Sequence, residues 1–298
     1  MKYEIASGSR VGSRRSNQDR VGIAERARSV LLVLADGLGG HEGGELAATV
    51  AVETLLDAFR RLRAGHIDNP PGFLSSALVD AHRRMQQRGA AHWPRIEPRT
   101  TCVACLVQDG FAYWAHVGDS RLYHFRGRAA LTRTLDDSEV EHLRLGGVLT
   151  EEEMSYHPDK GRLLKCLGGH EPPDITLGPE TRLHYDDLLL LCSDGLWEAF
   201  ETQELALQLR SSQIEEAIND LLETAEDRMD GRCDNTSAVC LRWQEARALA
   251  KPLGIPKVPR TAPRTQDEPP HRVEDYGVDE AIAELEELVR RRIPKSRD

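Results

Sequence analysis

The chain has 298 residues and carries 39 Lys and Arg against 49 Asp and Glu, a formal charge of −10 at pH 7. That length suits one large domain or two small ones, and the acidic balance argues against nucleic-acid binding through bulk charge. No apolar run approaches the ~18 residues of a membrane span, the start Met1-Lys2-Tyr3-Glu4-Ile5 lacks a secretory pattern, and the cysteines lie scattered in apolar surroundings, so the chain reads as soluble, cytoplasmic and reduced.

In chain order, Val30 to Ala35 is the first apolar run of strand length. Val50, Leu55, Leu56, Phe59 and Leu62 recur at helical spacing and predict a helix over roughly residues 43 to 63, with another over Leu74 to Met85. Thr101 to Val107 and Phe111 to Val117 return to strand-like runs, as do Leu188 to Cys192 and Ala238 to Leu241. Ile214, Ala217, Ile218, Leu221, Leu222 and Ala225 fit one helical face. Strands and helices come in blocks, which predicts an α+β layered domain over residues 1–244 rather than a doubly wound parallel sheet. The acidic excess lies wholly in that part, since residues 245–298 hold eleven basic and eleven acidic side chains. Prolines at 252, 256, 259, 263, 269 and 270 mark residues 245–275 as a linker. Within 276–298, Val278, Ile282, Leu285, Leu288 and Val289 predict a short amphipathic helix, able to dock on its own domain or on a partner.

Two of the apolar runs end alike, in Ala35-Asp36-Gly37 and in Ser193-Asp194-Gly195. Asp234 precedes a third strand, and Asp119 sits between two strand-like runs in Val117-Gly118-Asp119-Ser120-Arg121. Any one such dipeptide can simply make a turn. Several carboxylates converging beside an apolar core would require a cation, and all-oxygen ligands select hard ions such as Mg²⁺ or Mn²⁺. The one Cys-x-x-Cys, Cys102 to Cys105, falls in a strand pattern that points its thiols to opposite faces.

As a set, these residues resemble the metal-dependent Ser/Thr protein phosphatases of the PP2C (PPM) family, in its compact bacterial form. The resemblance runs over residues 5 to 243, in the family's order. It comprises Gly12 to Asp19, Ala35 to His41 with Gly44-Glu45, Thr100-Thr101, Val117 to Arg121, Leu131-Thr132, His157-Pro158, Leu167-Gly168, Ser193 to Gly195, and Asp234 to Thr236. It implies a four-layer α/β/β/α sandwich of two mainly antiparallel sheets flanked by helices. It also implies hydrolysis of phosphoserine and phosphothreonine on proteins by a metal-activated water, opposing a bacterial Ser/Thr kinase. Two or three Mn²⁺ or Mg²⁺ ions would be the cofactors. The implied partners are phosphorylated proteins, a kinase and its substrates, with neither nucleic acid nor membrane.

Residue by residue, the resemblance makes Asp36 the bridge between two metal ions. Asp194 and Asp234 would share one ion with it, the main-chain carbonyl of Gly37 would reach the other, and Asp119 would hold a third, weaker site. Asp19, Gln18 and Asn235 would stand behind these ligands, and Arg14 would bind the phosphate. Gln18 replaces the family's usual Glu, which implies weaker metal binding. Leu38 stands where some members carry a His as leaving-group acid, leaving His41 as the candidate for that role. Outside the metal centre, Arg99, Asp137 and Gly161 replace a usual Gly, His and Asn. Residues 139–175 correspond to the family's variable flap, whose Lys160, Arg162 and Lys165 are candidate contacts for phosphorylated loops. A catalytically silent phosphoprotein-binding module of the same fold is the alternative reading. A dehalogenase-type phosphotransferase is disfavoured because residues 36 to 38 read Asp-Gly-Leu, without the Asp-x-Asp it needs.

Overall fold

A computed structural model describes residues 1–245, apart from 40–41, 64–65, 155 and 211–212. The chain opens with strands β1 (Tyr3–Arg10), β2 (Arg20–Arg26), β3 (Ser29–Ala35) and the short β4 (Gly37–Leu38), then helices α1 (Glu42–Arg60) and α2 (Pro70–Ala91). There follow β5 (Arg99–Thr100), β6 (Cys102–Gln108), β7 (Phe111–Val117), β8 (Arg121–Arg126) and β9 (Ala129–Arg133). Helices α3 (Glu139–Leu145) and α4 (Glu151–Met154) lead to β10 (Thr176–Leu177), β11 (Thr181–Arg182) and β12 (Leu188–Cys192). Helices α5 (Asp194–Trp197), α6 (Thr202–Gln208) and α7 (Ile214–Arg228) precede the closing strand β13 (Thr236–Trp243).

One sheet runs β1-β13-β12-β8-β9 and the other β10-β7-β6-β3-β2, with β11 also on β7. Their neighbouring strands pair antiparallel throughout. Three apolar cores separate four layers. Leu31, Val33 and Ala35 of β3 pack under α1 and α2, while Val30, Leu32 and Leu34 of the same strand enter the core between the sheets. On the other sheet Leu188, Leu190 and Cys192 of β12 pack under α5, α6 and α7, and Leu189 and Leu191 face the sheet partner. The two-residue period of a strand thus feeds two cores at once. This is why β3 and β12 read as unbroken apolar runs although their sheets are antiparallel.

The α+β sandwich expected from the sequence is the fold observed. Phe111–Val117 and Leu188–Cys192 coincide with β7 and β12, and all six residues of the 214–225 face are the buried side of α7. The helix expected over Leu74 to Met85 is longer, because Pro70 and the Asn69 side-chain cap start it earlier and it continues to Ala91. Cys102 lies in the helix-side core and Cys105 in the inter-sheet core, and all six cysteines are free. No helix among the described residues is long and apolar enough to cross a membrane. Apart from Glu245, the 245–275 linker and the 276–298 helix with its possible partner lie outside the described residues.

Candidate metal centre

The strand registers bring the acidic residues to one end of the sandwich. Cys192 pairs with both Ala238 and Arg121, so the chain leaves β12 toward Asp194 where it enters β8 from Asp119 and approaches β13 from Asp234. In the other sheet Ala35 pairs with Arg20, which sets Asp36 beside Asp19. Thr100 and Thr101 fasten Asp36 by its backbone. Its carbonyl accepts from the Thr101 N–H at 2.9 Å and the Thr100 hydroxyl at 2.6 Å, and its N–H donates to Thr101 Oγ1 at 3.2 Å. Thr101 Oγ1 also meets Ser120 Oγ at 2.7 Å, tying Asp36 to the loop of Asp119. Gly37 is pressed against the first turn of α1, where an added Cβ would stand 2.3 Å from the Gly44 carbonyl oxygen. Glycine at both positions lets the two backbones touch.

The first loop is strapped to the last one. Asn235 Nδ2 donates to the carbonyls of Val11 and Ser16, at 2.8 and 3.0 Å, while its Oδ1 accepts from the Gln18 N–H at 2.8 Å. Asn235 thereby holds the segment carrying Arg14 over Asp234, and the Arg14 guanidinium donates directly to the Asp234 carboxylate. Asp19 is buried, with Oδ2 accepting from the Ser193 hydroxyl at 2.7 Å. Gln18 is buried beside Gly44, and Arg15 is exposed. Gly40 and His41 lie outside the described residues, so the candidate acid His41 has no placement here.

The electrostatics of the cluster are those of carboxylates crowded without enough positive charge. Burial, then the charges of Asp194, Asp19, Asp119 and Asp234, hold the Asp36 pKa well above the usual carboxylate range. Burial and Asp194 do the same to Asp119. Asp194 is pushed up to about 6 by burial and Asp234. Asp19 is pushed up to about 7 by burial, against hydrogen bonds that favour its charged form. The charges of Asp36 and Asp194 oppose each other, with Asp194 the largest charge acting on Asp36 after burial, an arrangement that a proton or a cation would relieve.

The donor set fits a hard divalent ion. Asp19 Oδ1 and Asp194 Oδ1 are buried and without a hydrogen-bond partner, which is costly for a carboxylate unless a cation is supplied. Among the described residues no three His, Cys, Asp or Glu side chains close around a point tightly enough to enclose an ion by themselves. Mg²⁺ and Mn²⁺ do not require that, since such ions keep several waters and accept main-chain carbonyls.

Some residues at this end were not singled out from the sequence. The Trp197 indole N–H donates to the Asp119 carbonyl at 3.0 Å, and its ring lies 3.4 Å from the Arg121 guanidinium. Arg121 is itself held by two hydrogen bonds to buried Asp136, at 2.8 and 2.6 Å. These contacts join α5 to the loop of Asp119, and they arise from tertiary packing that no spacing announces. Of the flap cations, Lys160 pairs with Glu198 at 3.1 Å, and Lys165 pairs with Asp137 and Asp174 at 3.1 and 2.9 Å. Arg162 is exposed and makes no ion pair among the described residues.

Residues 8–233 match the protein phosphatase 2C family. The serine/threonine protein phosphatase PstP of Mycobacterium tuberculosis is 33% identical over 233 residues, covering 76% of this chain and 42% of that protein. Protein phosphatase PhpP of Streptococcus pneumoniae is 32% identical over 204 residues, covering 68% of this chain and 82% of that protein. The chain therefore spans less than half the length of the mycobacterial relative and most of the pneumococcal one. The solved catalytic domain of PstP in complex with two manganese ions superposes with a TM-score of 0.69 at 28% identity, covering 82% of this chain and 99% of that one.

Proposed function

The chain belongs to the protein phosphatase 2C family, and from that premise we propose that it hydrolyses phosphoserine and phosphothreonine on proteins in a reaction that depends on Mn²⁺ or Mg²⁺. The observation that carries this reading is the gathering of Asp19, Asp36, Asp119, Asp194 and Asp234 at one end of the sandwich, with buried oxygens of Asp19 and Asp194 left unpartnered. Asp36 would bridge two ions, Asp194 and Asp234 would complete one, the Gly37 carbonyl would serve the other, and Asp119 would hold a third. When bound, the cations supply charge to neutralise these carboxylates, to draw in phosphate oxygens and to make the attacking water acidic.

The chain's own residues do the positioning. Arg14 is more than half exposed at the rim, and its planar donor fork suits two phosphate oxygens. Turning from Asp234 to a phosphate would let it trade one anion for another without leaving its loop. Asn235 keeps that loop in place, and Thr100 and Thr101 keep the Asp36 backbone from shifting as charge redistributes. The Ser193 hydroxyl holds Asp19 by Oδ2, leaving its buried Oδ1 without a hydrogen-bond partner. Phosphorylated proteins are thus the substrates, and a Ser/Thr kinase supplies them.

The test is phosphate release from phosphothreonine and phosphoserine peptides with Mn²⁺, with Mg²⁺ and with chelator. Release by wild type, its loss on chelation, and a fall of at least a hundredfold in Asp36→Asn are expected. Folded, Mn²⁺-supplied wild type that binds these peptides without releasing phosphate would overturn the reading in favour of a silent binding module.

A further inference from the structure

We propose that Asp137 and Lys165 are positioning residues, forming a latch that fastens the neck of the 139–175 segment to the loop of Asp119. The segment leaves and returns through a short antiparallel ladder. Ser138 bridges Leu163, the Glu139 N–H donates to the Arg162 carbonyl at 3.0 Å, and the Leu164 N–H donates to the Asp137 carbonyl at 2.8 Å. Asp137 also faces the other way. Its N–H donates to the Gly118 carbonyl at 3.0 Å, and its carboxylate accepts from the Gly118 N–H at 3.1 Å.

Gly118 needs that partner. β7 ends at Val117, so the Gly118 N–H has left the sheet ladder, and its φ of +99° turns the chain toward Asp119. A Cβ at this position would stand 2.7 Å from the Thr101 side chain, so the turn is open to glycine alone. The remaining reach of the Asp137 carboxylate is taken by Lys165 Nζ at 3.1 Å, from the returning strand of the neck. With only a tenth of the Asp137 side chain and a third of the Lys165 side chain exposed, this pair is partly shielded from water. The second contact of Lys165, to Asp174, ends on a carboxylate three-quarters exposed and is screened.

The consequence is mechanical. A shift of the neck pulls on Asp137, Asp137 pulls on Gly118, and Asp119 follows as the next residue. The familial His at position 137 could not present a carboxylate to Lys165, so this fastening belongs to the Asp137 and Lys165 combination. Lys165 therefore serves the neck rather than a substrate phosphate. The coupling to a cation rests on the reading of Asp119 as a ligand, whereas the latch itself can be tested without metal.

Hydrogen exchange of the full-length protein, measured by mass spectrometry, separates the two. Without metal, Lys165→Met and Asp137→Asn should each speed exchange about tenfold, equivalent to ~1.4 kcal/mol, both in the neck and in peptides covering residues 117–121. The double variant should add little to either, while Lys165→Arg and Asp174→Asn should stay near wild type. Faster exchange confined to the neck, with 117–121 unchanged, would overturn the latch, as would failure of Lys165→Arg to rescue. With Mn²⁺, Lys165→Met should need several-fold more metal than wild type to protect 117–121. If Mn²⁺ gives wild type no protection there, the assignment of Asp119 falls while the metal-free comparison still decides the latch.

Discussion

At the Asp194 carboxylate, burial and the charge of Asp234 push the pKa to about 6, and at Asp19 burial pushes it to about 7. An unfolded aspartate titrates near 3.9. Between those values the folded chain holds more protons than the unfolded one, so metal-free stability falls as pH rises from about 4 to about 7. The charged carboxylates therefore oppose folding at neutral pH, and cations would lift that penalty. Metal-free Asp194→Asn is expected to be more stable than wild type at pH 7.5, by roughly 1–3 kcal/mol, with the difference vanishing near pH 4. Urea denaturation at the two pH values checks it, and a less stable Asp194→Asn at pH 7.5 would contradict it. Arg14 does for Asp234 what a cation would do for the others, so its removal should deepen the strain on the cluster.

At the scale of elements, the end of the sandwich away from the cluster is closed by a different kind of carboxylate. Asp187, just before β12, is fully buried. It accepts from Arg126 at 2.8 Å through both oxygens, from His124 Nε2 at 3.0 Å and from the His184 N–H at 2.8 Å. Despite burial, these donors hold its pKa below the usual range. The contribution is present above the unfolded value near 3.9 and is lost as pH falls through the depressed folded one. Asp187→Asn should cost about 3 kcal/mol of stability while leaving the Mn²⁺ requirement as in wild type, measured by denaturation and metal titration. A changed metal requirement would show that the two ends of the sheets are not independent.

The elements also show what was legible beforehand. β3, β6 and β12 are buried on both faces, so their sequences are unbroken apolar runs that stand out. β1 and β2 are half-exposed, with Gly8 and Gly22 lying close under α7 and α1, and they leave no clear alternation to read. The 214–225 helix was legible residue by residue because a single face carries all its burial.

At the scale of the whole molecule, the ends of the buried runs mark where the carboxylates emerge, so Asp36 and Asp194 could be placed from the sequence. Their convergence with Asp19, Asp119 and Asp234 depends on strand register between distant segments, which local patterns do not carry; the family resemblance supplied it. Trp197 and Asp136 were silent because their parts consist of contacts to backbone and to other loops, and Asp137 stood out only as a departure from the family's usual His, which does not announce its contacts to Gly118 and Lys165. Four layers with three cores leave the acidic loops at one end of the sandwich, where negative charge is set against an apolar interior and a divalent cation would offset it. The most direct measurement is calorimetric titration of Mn²⁺ into metal-free wild type and Asp36→Asn at neutral pH. At least two ions bound by wild type, with the loss of one or both in Asp36→Asn, is the result predicted here. Folded wild type that takes up no Mn²⁺ would contradict it.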